Sequence, residues 1–255
     1  MNSPLAMSLL VGAFVGGAAA YLGSLMITRQ MALVGDALGH VALPGMGLAL
    51  LMKIDPSVGA FVFLFAGILL LWKLQERTPL SSETLVGILF VSSLAIGFLI
   101  VPQPELLESL IGDISKLTPE ATILSMVFSV VVIVMVRRIY GGMMLLNIST
   151  DLAAVQGVRE RRFSFLYLFS IALIVSVGVK VTGSLLVGSL VIIPPAVARM
   201  ISTDMKRYAR NSIAVGIGSS LVGILSAKAT GFPPGPAIIL VSAVLFVMSL
   251  MVRVR

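Results

Sequence analysis

Leu5–Ile27, LAMSLLVGAFVGGAAAYLGSLMI, runs 23 residues without a charged side chain. A helix of that length rises about 34 Å at about 1.5 Å per residue, slightly more than the roughly 30 Å hydrocarbon core of a bilayer. No basic stretch precedes it, and it is long for the apolar core of a signal peptide, so it reads as a retained membrane helix. The rest of the chain repeats the pattern. Further apolar segments fall at Leu33–Met52, Ser57–Leu74, Thr84–Val101, Pro119–Val136, Phe163–Val181, Ser184–Arg199, Ala209–Ala229 and Pro236–Val252. That makes nine, the seventh being the shortest. Alternation with a period of two, the mark of a membrane β-barrel, is absent. The expected fold is therefore an all-α, polytopic membrane bundle of eight to nine helices, forming one integral domain over residues 1–255.

Composition agrees. The 255 residues are 58% hydrophobic and 11% charged, where soluble domains carry roughly a quarter charged residues. Cysteine is absent and His40 is the only histidine, which removes disulfides, thiolate metal sites and most general-base chemistry. The net charge of +7 would suggest nucleic acid in a soluble domain. Here it tracks topology. Arg29, Lys73, Arg77, Arg137, Arg138, Arg159, Arg161, Arg162, Arg199, Lys206, Arg207, Arg210, Arg253 and Arg255 fall on one side of alternating spans, and Lys53, Lys116, Lys180 and Lys228 on the other. The positive-inside rule then puts the amino terminus outside and the carboxyl terminus in the cytoplasm. The basic residues are spread over short edges instead of one patch, so a nucleic-acid partner is excluded.

Two connections are long. Pro102–Thr118 lies outside and carries Glu105, Glu108 and Asp113, while Arg137–Arg162 lies inside and contains LNISTDLAAVQGVRERR, a polar helical stretch suited to a protein partner. No G-x-x-x-x-G-K-[ST] phosphate loop and no G-x-S-x-G elbow occurs, so neither nucleotide hydrolysis by that loop nor serine-hydrolase chemistry is expected of this chain. The fourteen methionines are scattered, as filler in apolar helices is, and do not line a copper path.

Asp36 is the one acid inside a span, and His40 follows one helical turn later with Pro44 a turn beyond. Residues four apart share a helix face, and a charge within the bilayer costs about 2.5–3.5 kcal/mol on insertion scales, so such residues usually line a polar path. Three readings fit the pair. Asp36 satisfies amides at the helix start and His40 pairs with it; the two relay protons; or they offer an oxygen and a nitrogen to a divalent cation, with a second copy of the chain completing a four-ligand set across a two-fold axis. An acid-dyad hydrolase would need a second buried carboxylate, and none is present.

The run QMALVGDALGHVALPGMGLAL at 30–50 resembles the second-span signature of the zinc/manganese/iron-chelate family of ABC transporter permeases, R-R-M-A-L-x-G-D-A-L-S-H-A-x-L-P-G. Further likenesses follow in order: SETLVGILF at Ser82–Phe90, GDI at Gly112–Ile114, DLAAVQGV at Asp151–Val158, VKVTGSLLVGSLVIIPPAVARM at Val179–Met200 and PAIIL at Pro236–Leu240. The resemblance spans nearly the whole chain. It implies a homodimeric permease without its own ATPase site, taking zinc or manganese from an extracytoplasmic metal-binding protein and driven by a separate ATP-binding cassette subunit. No permanently bound cofactor is implied. Asp36 and His40 would contact the transported metal, and a segment at about 147–162, with Asp151, Leu152, Gly157 and Arg159, would couple to the ATPase. Glu83 reads either as a helix-start acid or as part of a gate. Pro194 and Pro195 should kink or break the seventh span, as a gate or as packing. Three departures stand out: Arg29-Gln30 for the paired arginines, Gly39 for serine, and Ser149-Thr150-Asp151 for D-P-E. A proton-coupled secondary metal transporter is the alternative function.

Overall fold

The computed structural model describes residues 3–101, 118–182 and 184–251. All of its regular elements among these residues are helices: α1 (Ser3–Thr28), α2 (Val34–Leu51), α3 (Pro56–Arg77), α4 (Ser82–Ile100), α5 (Pro119–Ile148), α6 (Thr150–Val155), α7 (Glu160–Thr182), α8 (Ser184–Ile201), α9 (Met205–Thr230) and α10 (Pro234–Met251). Eight are long and apolar enough to cross a membrane, namely α1 to α5, α7, α9 and α10. The expected nine spans become eight full-length helices and a shorter apolar one, α8, whose stretch with described side chains is Leu186–Ile201. Shortness is tolerable there because α8 is lined by α1, α2, α7, α9 and α10 instead of by lipid. Leu186, Val187, Leu190, Val191, Val197 and Ala198 are all buried.

The bundle is layered by burial. α1, α2, α7 and α8 form the interior, with Val11, Leu22, Leu25, Leu38, Ile171, Ile174 and Val191 among its buried side chains. α4 and α10 lie at the periphery and turn large apolar groups outward, Leu99 at 87% and Leu240 at 67% exposure. In water such surfaces would aggregate; in a bilayer they meet acyl chains. Buried serines return their hydroxyls to their own helix, as Ser129 donates to the Ser125 carbonyl at 2.7 Å, which is how polar groups are satisfied where water is absent.

Two backbone devices position the site. The first is the turn from α1 to α2. Gln30 adopts a left-handed φ of 56°, its amide donates to the Ile27 carbonyl, and the Met31 amide donates to the Met26 carbonyl. This Schellman closure reverses the chain within five residues and buries Met31. It sets α2 beside α1 with Asp36 in the first turn of the new helix. The second is close helix approach. Gly45 of α2 and Gly59 of α3 each lie directly against the other's carbonyl, so these two helices touch backbone to backbone.

Pro194 and Pro195 do not break their segment. α8 continues through both. Pro195 has no N–H to donate to the Val191 carbonyl, and that carbonyl instead faces Gly23 of α1, where a Cβ would collide with it. A neighbouring helix thus covers the backbone group that the proline leaves open.

Candidate functional site

Asp36 is the third residue of α2, and α2 starts without a side-chain cap. The positive end of the helix dipole favours a carboxylate at this position. Yet among the described residues Asp36 receives no hydrogen bond and makes no ion pair, neither with its helix amides nor with His40. Its side chain lies instead against α8: a Cβ built on Gly188 would sit 2.7 Å from Asp36 Oδ1, 3.0 Å from its Cβ and 3.2 Å from its Cγ. His40, one turn on, is half-buried like Asp36. Its ring meets Phe90 of α4 edge-on, with centroids 5.1 Å apart and planes at 70°. Its Nδ1 is buried without a hydrogen-bond partner, and an unsatisfied buried polar atom costs about 1–3 kcal/mol that a ligand would recover. Pro44 sits inside α2 and has no N–H for the His40 carbonyl. The arrangement therefore brings an unpaired carboxylate and an unpaired imidazole nitrogen to one stretch of α2, walled by α4 and α8.

No group of three or more His, Cys, Asp or Glu side chains able to hold a metal occurs among the described residues. Among the described residues, Asp36 and His40 are thus the two side-chain ligands that this stretch of one copy presents.

The expected coupling segment has a different build from the single helical stretch predicted for it. α5 does not stop at the Arg137-Arg138 pair but runs 30 residues to Ile148, about 45 Å, roughly 15 Å longer than the hydrocarbon core. Its continuation is carried by apolar contacts the charge pattern hides, since Ile139, Met143 and Leu146 are buried. Only six residues, Thr150–Val155, form α6. Ser149 caps them by accepting from the Leu152 amide at 3.2 Å, and Gly157 ends the turn with φ 77°. Ala153 is buried and anchors α6, whereas Asp151, Gly157 and Arg159 are exposed, and Leu152 and Val155 stand out at 44% and 87% exposure. Ser149→Ala should destabilise α6 by about 1 kcal/mol, seen as roughly five-fold faster amide hydrogen exchange of residues 151–155 in the purified protein.

Sequence reasoning missed how this segment connects to α2. All four tyrosines of the chain lie at the Arg-rich end of the bundle. Tyr21 of α1 stacks on Tyr140 of α5 with centroids 5.5 Å apart, and Ser24 donates to the Tyr140 hydroxyl at 3.3 Å. Arg29 lies over the Tyr167 ring of α7 at 5.8 Å and reaches Met143 Sδ of α5 at 3.5 Å. Arg199 of α8 lies over Tyr208 of α9 at 5.4 Å. Arg29, just before the turn into α2, therefore touches both helices that flank α6. A tyrosine near the basic end of a span was the available signal, but only packing shows that they converge.

Glu83 is exposed in the first turn of α4, where the cap is Ser81, accepting from the Thr84 amide at 3.2 Å. Pro194 and Pro195 are buried, and the Pro195 ring packs at Gly23. Neither Glu83 nor the proline pair is joined to Asp36 and His40 by a described hydrogen bond or ion pair. Glu105, Glu108 and Gly112–Ile114 lie outside the described residues, as does the side chain of Lys180.

Comparisons with known proteins bear on this geometry. The profile of the ABC 3 transport family matches residues 1–253. The high-affinity zinc uptake system membrane protein ZnuB of Buchnera aphidicola is 34% identical over 236 residues, covering 89% of this chain and 90% of that one. The manganese import system permease protein ScaB of Streptococcus gordonii is 25% identical over 95% of this chain and 88% of its own length. Among solved structures, PsaBC from Streptococcus pneumoniae in complex with Fab superposes with a TM-score of 0.83 at 23% identity, over 97% of this chain and 91% of that chain.

Proposed function

The chain belongs to the ABC 3 transport family, a transport protein and not a catalytic one, and from that premise we propose that it is the permease half of an ATP-driven importer of zinc or manganese. The observation that carries the proposal is the unpaired carboxylate of Asp36 one helical turn from the half-buried imidazole of His40, whose Nδ1 has no partner. A transported ion needs ligands that are free to accept it and free to release it. Two side chains from one copy, doubled by a second copy across a two-fold axis, make the four-ligand set that zinc prefers, whereas manganese prefers more oxygen donors. The relatives support the same cargo, one named for zinc and one for manganese.

In this reading the single integral domain over residues 1–255 works as a homodimer by alternating access. A separate ATPase subunit engages α6, to which Leu152 and Val155 present exposed apolar side chains and Asp151 and Arg159 present charge. The extra length of α5 carries that contact clear of the headgroups. Movement of the α5–α6–α7 hairpin reaches α2 through Arg29, which bears on Tyr167 and Met143 at once. The metal arrives from an extracytoplasmic binding protein on the face opposite the arginines. The amino terminus is outside and the carboxyl terminus in the cytoplasm, following the basic residues.

Uptake of zinc into proteoliposomes holding the chain, the ATPase and the binding protein tests the proposal. ATP-dependent accumulation that vanishes without the ATPase is the expected result. Accumulation that ignores ATP and follows an imposed proton gradient would overturn it in favour of a secondary transporter.

A further inference from the structure

We propose that Gly188 of α8 is a positioning residue for the metal-contacting carboxylate of Asp36, an inference that rests on the metal-site reading given above. Asp36 lacks what normally fixes a carboxylate: no amide, hydroxyl or cation holds it among the described residues. A side chain with two rotatable bonds and no polar partner would sample several orientations, each a different ligand geometry. What limits it is the neighbouring backbone. A Cβ at 188 would fall 2.7 Å from Oδ1, 3.2 Å from Cγ and 3.0 Å from the Asp36 Cβ, so all three side-chain positions lie flush against α8 at the one residue that offers no side chain. The carboxylate is confined between that bare backbone and the α2 turn leading to His40.

The contact is local. Gly35, the preceding residue of α2, also faces α8, yet a Cβ there would meet the Val191 side chain at 3.5 Å, an ordinary van der Waals distance. At Gly35 the interface therefore accepts a methyl group, whereas at Gly188 it is tight against Asp36. The chemistry of relief also differs along the side chain. The carboxylate oxygen can swing away by bond rotation, whereas the Asp36 Cβ can move only with α2, and at 3.0 Å a shift of a few tenths of an ångström is enough. Gly188→Ala therefore relieves itself chiefly by turning the carboxylate out of its place, leaving the helices packed and the ligand misdirected. Residues that orient a metal ligand from behind typically change metal affinity 10–100-fold when altered.

The experiment is zinc binding by the purified permease, by competition with a chromophoric chelator, with thermal unfolding recorded for each variant. Gly188→Ala is expected to weaken zinc binding about 10- to 100-fold at a nearly unchanged unfolding temperature, while Gly35→Ala binds as the parent does. Equal affinity for Gly188→Ala and parent would overturn the proposal, and so would an equal loss in Gly35→Ala. Should Gly188→Ala fail to fold, the variant carrying both Gly188→Ala and Asp36→Gly decides. Recovery of folding shows that the clash was with the Asp36 side chain, and continued failure overturns the assignment. Asp36→Ala, measured alone, separates the two levels: parent-like zinc binding there refutes the metal-site reading itself, whatever Gly188 does.

Discussion

Asp36→Asn should lose ATP-driven zinc uptake by about 100-fold or more while unfolding at the same temperature as the parent or higher. The two halves of this expectation have one cause. A half-buried carboxylate in an apolar bundle, without an ion pair or a hydrogen bond among the described residues, is a burden on folding that the helix dipole offsets only in part. The amide has nearly the same shape and no charge, so it removes that burden and leaves the packing against Gly188 in place. It also removes the anionic ligand, and an amide oxygen is a poor substitute for a carboxylate toward a divalent cation. Stability and function are thus set against each other at one residue, as is common at working sites. Uptake in proteoliposomes and thermal unfolding in detergent, measured on the same preparation, check both halves. Normal uptake by Asp36→Asn would remove the carboxylate from the ion path. A clear fall in unfolding temperature would mean that the charge has a stabilising partner after all.

The largest stability effect is expected at Gly23. Its Cα faces the Val191 carbonyl, and a Cβ there would also come within 2.8 Å of the Pro195 ring. Neither obstacle can yield. The carbonyl is part of the α8 backbone, and the proline ring is fixed to it. Gly23→Leu should force α1 away from α8, uncover the carbonyl that Pro195 leaves without a helical donor, and cost about 3 kcal/mol or more, at or beyond the usual upper range for overpacking. Loss of monodisperse folded protein, or a much lowered unfolding temperature, is the measured outcome. Gly87→Leu is the contrast: it is exposed on α4 with nothing within 4 Å of a Cβ, and it should unfold close to the parent temperature. Similar behaviour of the two variants would show that Gly23 does not hold α1 against α8.

Much of the candidate site was legible in the sequence. Asp36 and His40 stand out because an acid and an imidazole are rare within apolar runs, and the helical repeat alone puts them a turn apart. Where the reading erred, tertiary contacts had overridden a local signal. Arg137-Arg138 looked like the end of a span, but α5 continues for ten residues because Ile139, Met143 and Leu146 are buried in the bundle. The proline pair predicts a kink or break in its span; it does not break it, because α8 is enclosed by other helices and Gly23 covers the carbonyl that Pro195 leaves open. Those compensations come from other helices, among them α1, which is far from both segments in the chain.

Hydropathy, helical period and the distribution of lysine and arginine are properties of neighbouring residues, so the chain by itself determined that it is a helical membrane bundle, roughly how many helices it has, and which two side chains to suspect. It could not determine which helices become neighbours. In a bilayer every span is similarly apolar, and what selects partners is close fit at small residues. That selection put Gly188 behind Asp36, enclosed α8, and gathered four tyrosines drawn from four helices at one end of the bundle.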